Sequence, residues 1–156
     1  MQPFYVVQKR GFRALLGPLA APLEIKSPRT YATHLQAEYS KRKDMLIKHF
    51  ETVNFVSTTA DCWKSRTGQE YLGMTCHWLG PENQRRSACL AVRRMKGSIT
   101  YLELATTMQS IHREFHLIGK VTETITDNGS NFVKAFKVNL LYNIYYVVKS
   151  MYDFKI

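Results

Sequence analysis

Residues 70–95 constrain the fold most. In Glu70-Tyr71-Leu72-Gly73-Met74-Thr75-Cys76-His77-Trp78-Leu79, period-two alternation puts Leu72, Met74, Cys76 and Trp78 on one face, as in a half-buried strand. Gly80-Pro81-Glu82-Asn83 reads as a turn. A second strand-like run at about 86–95 follows within hairpin distance, so the two strands are expected to be antiparallel. Another β-like run, about 53–61, precedes the hairpin. After it, Leu104, Met108, Ile111 and Phe115 recur at helical spacing and predict a buried helix from about Thr100 to Phe115. A fourth strand at about 120–126 leads into Asp127, and a helix carrying Phe132, Val133 and Phe136 is expected to begin near Ser130. The order is β-β-β-α-β-α, an α/β class.

Two acidic residues stand out within that order. Asp61 closes the run Val53-Asn54-Phe55-Val56-Ser57-Thr58-Thr59-Ala60-Asp61, and Asp127 closes Val121-Thr122-Glu123-Thr124-Ile125-Thr126-Asp127. Alternation places Val53, Phe55, Thr59 and Asp61 on one face, and Val121, Glu123, Ile125 and Asp127 on another. A right-handed crossover through the helix makes the first and fourth strands parallel neighbours. Both aspartates then emerge at the carboxyl edge, where open α/β sheets place ligands. Paired carboxylates are hard oxygen donors suited to Mg2+ or Mn2+, the start of a metal-assisted phosphoryl-transfer site. A third acid is normally expected. Glu123 shares a face with Asp127 and is the nearest substitute; Glu103 and Glu114 fall inside a core helix.

The charge balance points to a polyanion. Of 156 residues, 22 are Lys or Arg against 12 Asp or Glu, a formal net charge of +10. That excess favours nucleic acid as partner. Residues 1–50 read as a helical basic segment, with short apolar pieces broken by Gly17-Pro18 and Pro22. Ser27 is expected to cap a helix that has Pro28 in its first turn. Along that helix Tyr31, Leu35, Tyr39, Leu46 and Phe50 recur at roughly helical spacing. It also carries Lys41-Arg42-Lys43, which is either a solvated face or a phosphate-contacting one. Cys62, Cys76 and Cys89 form no C-x-x-C pair and are expected to be reduced thiols. Cys76 and His77 point to opposite faces of one strand and cannot easily share a metal. No secretory signal and no ~20-residue apolar span is visible, so the chain is expected to be soluble and intracellular, without a membrane partner. Residues 137–156, rich in Tyr, Ile, Asn, Val and Lys, lack amphipathic order and read as an atypical tail.

With these residues in view, the chain resembles the hAT superfamily of DNA transposases and their BED-type zinc-finger relatives. The likeness runs from about Gln2 to Phe136. It rests on Gln2-Pro3-Phe4 with Gly11-Phe12, Ser27-Pro28-Arg29 with Tyr31, Thr59-Ala60-Asp61-Cys62-Trp63, Tyr71–Trp78, and most specifically Thr126-Asp127-Asn128-Gly129-Ser130-Asn131-Phe132-Val133-Lys134-Ala135. The family's usual Pro-Ser-Arg order is Ser-Pro-Arg here. The resemblance implies an RNase H-like core with an Asp-Asp-Glu triad. Asp61 would be its first acid and Asp127 its second, both metal-binding, with Trp63 beside the site. The family's Glu lies beyond an inserted helical region, and nothing in this chain stands for it. The expected fold is therefore an incomplete RNase H-like core at 51–136, preceded by the helical segment at 1–50 and followed by the tail at 137–156. Three functions are expected in competition: a truncated transposase-derived protein, inactive alone, with residual DNA binding; a domesticated nuclear DNA-binding or protein-interaction module; and a metal-dependent nuclease completed by self-association. A nuclear location is expected in the first two.

Overall fold

The computed structural model describes residues 4–20, 24–97, 99–127 and 129–138, and divides the chain into two units at Leu46/Ile47. The tail at 137–156 lies outside the described residues except for its first two.

The first unit is helical, as expected. A 3-10 turn at Phe4–Gln8 leads into α1 (Arg10–Ala20), and α2 begins at Pro28. The Ser27 hydroxyl accepts the Thr30 backbone N–H at 3.1 Å, the predicted N-cap. Gly17-Pro18 does not break α1, because Pro18 falls in the last turn before the helix ends at Ala20. Tyr31 stacks on Phe4, with centroids 6.4 Å apart. The rest of the stripe on α2 (Pro28–Glu51) is not core in this unit: Leu35 is 57% and Tyr39 47% exposed.

The second unit takes in the last turn of α2, where Phe50 is fully buried, edge-on to Trp78 at 5.2 Å. The Lys120 ammonium donates to the Phe50 carbonyl at 2.6 Å and so satisfies one of the helix's orphan acceptors. Four strands follow in the order β3-β2-β1-β4: β1 (Val56–Lys64), β2 (Glu70–Leu79), β3 (Arg85–Arg94) and β4 (Val121–Ile125). β1 pairs antiparallel with β2, β2 antiparallel with β3, and β1 parallel with β4. α3 (Tyr101–Glu114) forms the crossover and α4 (Ser130–Val138) follows β4, which gives the predicted β-β-β-α-β-α order of an RNase H-like α/β fold. The Thr100 hydroxyl caps α3 by accepting the Glu103 N–H at 3.2 Å.

One sheet face supplies Val56, Thr58, Ala60, Leu72, Met74 and Cys76 to the core, together with Leu104, Met108 and Ile111 of α3 and Phe132, Ala135 and Phe136 of α4. Thr58 and Thr124 sit opposite each other in that core and satisfy one another, hydroxyl to hydroxyl, at 2.8 Å. Two face assignments need correction. Val53 and Phe55 precede β1, and Phe55 is 71% exposed. On β4 a bulge inserts Thr122, because Val56 pairs with Val121 but Ser57 pairs with Glu123. The extra residue turns Val121 to the core, while Glu123 and Ile125 keep to the other face and Thr124 and Thr126 are buried.

Candidate metal and nucleic-acid site

β1 is held on both sides only as far as Thr59. Its pairing with β4 ends at Thr59↔Ile125, whereas its pairing with β2 continues to Lys64↔Glu70. Beyond Thr59 the seam between β1 and β4 opens. Asp61 lies two residues past Thr59 on β1, and Asp127 lies two residues past Ile125, the last residue of β4, so each follows the last β1–β4 pair by two residues. Asp61 therefore does not end its strand, as the sequence suggested; β2 keeps three further residues of β1 extended. Glu123 lies four residues before Asp127, roughly 13 Å away at ~3.3 Å per residue. It sits beside Ser57 in the register and cannot join the pair.

Asp127 begins the connection to α4. Its Oδ1 accepts the Gly129 N–H at 3.2 Å, a turn that precedes the helix start at Ser130. The Asn131 amide then donates to the Ile99 carbonyl at 2.9 Å and ties this turn to the entry of α3. A cavity of about 490 Å3 opens here, lined in part by Cys62, Trp63, Lys64, Glu70, Asp127 and Ser130. Asp61 is exposed and is not among its lining residues.

The Cys62 thiol reports on this neighbourhood. Burial pushes it up to about 12, and the negative charges of Asp61, Asp127 and Glu70 add to the effect. Glu70 was not singled out in the sequence, although Thr67-Gly68 carried the signal. The turn at 65–69 closes through Ser65 N–H to Gln69 O at 2.8 Å and returns Glu70 opposite Lys64, whose ammonium lies 3.7 Å from its carboxylate. Among the described residues, no three His, Cys, Asp or Glu side chains form a group that could hold a metal.

Trp63 lines the same cavity as Asp127, 42% exposed and stacked on Tyr71 at 5.8 Å and 17°. Gly73, paired with Asp61, makes room for it: an added Cβ would stand 2.8 Å from the indole. A Gly73→Ala variant is expected to lose about 1–3 kcal/mol, the usual range for forced overpacking against a rigid ring. It should also shift the tryptophan emission, since the ring must leave Tyr71. Unchanged emission and denaturant midpoint would mean that the ring yields without cost.

The basic run lies in the first unit. Lys41 and Arg42 are exposed and Lys43 half-buried on α2, with Arg42 Nε 3.2 Å from the Glu38 carboxylate. No helix among the described residues is long and apolar enough to cross a membrane.

Comparison with known proteins follows this geometry. The ZBED1 RNase-like domain matches residues 59–147, which takes in both aspartates and the first half of the 137–156 stretch. A Talaromyces stipitatus protein named as a candidate transcriptional regulator, tpeD, is 29% identical over 132 residues, 83% of this chain and 16% of that protein. The candidate AC transposase of Zea mays is 25% identical over 129 residues, 82% of this chain and 16% of that protein. The chain thus spans 16% of the length of each of these relatives. The catalytic domain of Mos1 transposase, solved with Mn and raltegravir, aligns with 71% of this chain and 58% of that one at 11% identity and a TM-score of 0.42.

Proposed function

The chain belongs to the ZBED1 RNase-like domain family of hAT-type, transposase-derived proteins, and on that footing we propose that its 156 residues carry two acids of a metal-dependent DNA-processing site together with a nucleic-acid-binding surface, and do not cut DNA by themselves. The observation that supports this most is the parallel β1–β4 pairing, which ends at Thr59 and Ile125, two residues before Asp61 and Asp127 respectively. The donor set fits a hard divalent cation: magnesium commonly takes one or two protein carboxylates and fills its other positions with water and substrate phosphate oxygens. Asp61 and Asp127 would hold the ion. When bound, a divalent ion would polarise phosphate oxygens and orient the reacting groups. The protein's own part is to fix the two carboxylates on β1 and just after β4, to shape the cavity beside them, and to keep Trp63 against it. The formal charge of +10 and the Lys41-Arg42-Lys43 run supply attraction for the phosphate backbone, and DNA in the nucleus is the partner proposed.

A Mn2+ titration followed by paramagnetic broadening tests the site. Resonances of residues 59–63 and 127–132 should broaden first, and Asp61→Asn and Asp127→Asn should each weaken binding at least about tenfold, the lower end of the loss when a ligand shell is disrupted. Broadening centred elsewhere, or unaffected by both substitutions, would remove the metal site. The relative named as a candidate transcriptional regulator favours a second reading, a DNA-binding module kept for regulation. Wild-type DNA affinity in both aspartate variants without added metal would fit that reading.

A further inference from the structure

The turn that carries Asp127 leaves the ladder of the sheet and is held by side-chain bonds instead. β4 makes its last pair at Ile125 and α4 starts at Ser130, so Asp127 stands outside both elements. Its Oδ1 accepts the Gly129 N–H at 3.2 Å, and the Gly129 carbonyl accepts the Val133 N–H at 3.1 Å, a bond into the first turn of α4. Asn131 is the second residue of that helix. An asparagine there neither caps the helix nor favours it, since the cap position precedes the first helical residue and asparagine ranks well below alanine inside a helix. Its amide reaches outward: Nδ2 donates to the Ile99 carbonyl at 2.9 Å, across 32 residues of sequence. Ile99 immediately precedes Thr100, whose hydroxyl caps α3. One side chain thus ties the start of α4 to the start of α3. Ile99, Gly129, Ser130 and Asn131 line the same cavity as Asp127. Space beside the carboxylate is tight, since a Cβ added at Gly129 would stand 3.3 Å from Oδ1. A small shift in the first turn of α4 is therefore felt at Asp127.

We propose that Asn131 is a positioning residue for Asp127: its bond to Ile99 holds the turn from Asp127 to Ser130 in the arrangement that binds a hard divalent cation. The role rests on the reading of Asp61 and Asp127 as the metal-binding pair. Asn131 acts through Asp127 and is not itself a ligand. Burial of Phe132, Ala135 and Phe136 holds the body of α4 with or without this bond, so its loss leaves the fold in place. Without the bond, the turn has to be ordered when the ion binds, and that ordering opposes binding. The size of the effect is bounded, because a bond that holds a carboxylate in place lends metal binding no more than its own net worth. Asn131 is exposed. For such a bond the net worth is a factor of about two to ten in affinity.

The test uses the full chain and Mn2+ alone, with affinity read from paramagnetic broadening. Asn131→Ala should weaken Mn2+ binding about two- to tenfold. A double-mutant cycle shows what it acts through. In an Asp61→Ala background the substitution should cost the same factor, because Asp127 is still there to be positioned. In an Asp127→Ala background it should cost nothing. A merely structural role would move the urea midpoint without separating the two backgrounds. Hydrogen exchange on the metal-free protein gives a second readout: the Gly129 amide should exchange faster in Asn131→Ala, while amides in the body of α4 keep their wild-type rates. If wild-type protein binds Mn2+ through both aspartates, but Asn131→Ala binds as wild type or costs the same in both backgrounds, the positioning role is wrong while the metal site stands. If wild-type protein does not bind Mn2+, or Asp127→Ala binds it unchanged, the metal reading falls and the role of Asn131 falls with it.

Discussion

Lowering the pH from 7 to 5 is expected to cost the second unit about 2 kcal/mol through one residue, His112, at ~1.4 kcal/mol per pH unit below its unfolded pKa. Its side chain is 1% exposed on the buried face of α3, and neither ring nitrogen has a hydrogen-bond partner. Burial disfavours the charged form and lowers its pKa from 6.5 to about 4. The sign follows from that order. Above 6.5 the ring is neutral folded or unfolded and adds no pH dependence. Between 6.5 and 4 the unfolded chain takes up a proton that the folded chain refuses, so stability falls with pH. Below 4 both states are protonated and the loss levels off at about 3 kcal/mol. His112→Leu removes the titrating group and the two unsatisfied nitrogens, so it should match or exceed wild-type stability at pH 5. Urea unfolding at pH 7, 6 and 5 measures this, in a range where most carboxylates remain ionised. Parallel pH trends for the two proteins would mean that His112 finds a partner when it is protonated.

His112 also shows where the sequence stops being legible. The stripe Leu104, Met108, Ile111 and Phe115 marked α3 as a core helix, and all four are buried. Nothing in that spacing said that the core continues one residue further round, past Ile111 to a histidine. The same holds for the sheet. Period-two alternation was enough to place Leu72, Met74 and Cys76 inside, and the strand-helix-strand order was enough to make β1 and β4 parallel neighbours. The Thr122 bulge was not visible, because an extra residue in one strand leaves no trace in that strand's own pattern; it exists only relative to Val56 across the seam. Glu70 was missed for a related reason. Its place near Asp127 depends on the length of the 65–69 turn, which sets which residue returns opposite Lys64.

The 156 residues alone are expected not to nick or join DNA at a useful rate with Mg2+ or Mn2+. The chain has to hold an attacking oxygen and a scissile phosphate in line, and a displacement of about 1 Å can cost ~10²-fold. Asp61 on β1 and Asp127 just after β4 would fix one side of such a site. A third fixed oxygen donor would have to come from the cavity beside them, where Glu70 is the remaining carboxylate. Glu70 lies at the far end of the hairpin from Thr59, and its carboxylate faces the Lys64 ammonium at 3.7 Å. To serve, it would have to give up that contact and cross to the open seam. A supercoiled-plasmid nicking assay on highly purified protein measures the outcome, with Asp61→Ala, Asp127→Ala and Glu70→Gln run in parallel. Background conversion that is equal in all four proteins is the expected result. Robust Mn2+-dependent nicking lost in both aspartate variants would show that these residues complete the site among themselves. If Glu70→Gln abolished it too, the third carboxylate would be the one that the β1–β2 turn returns opposite Lys64.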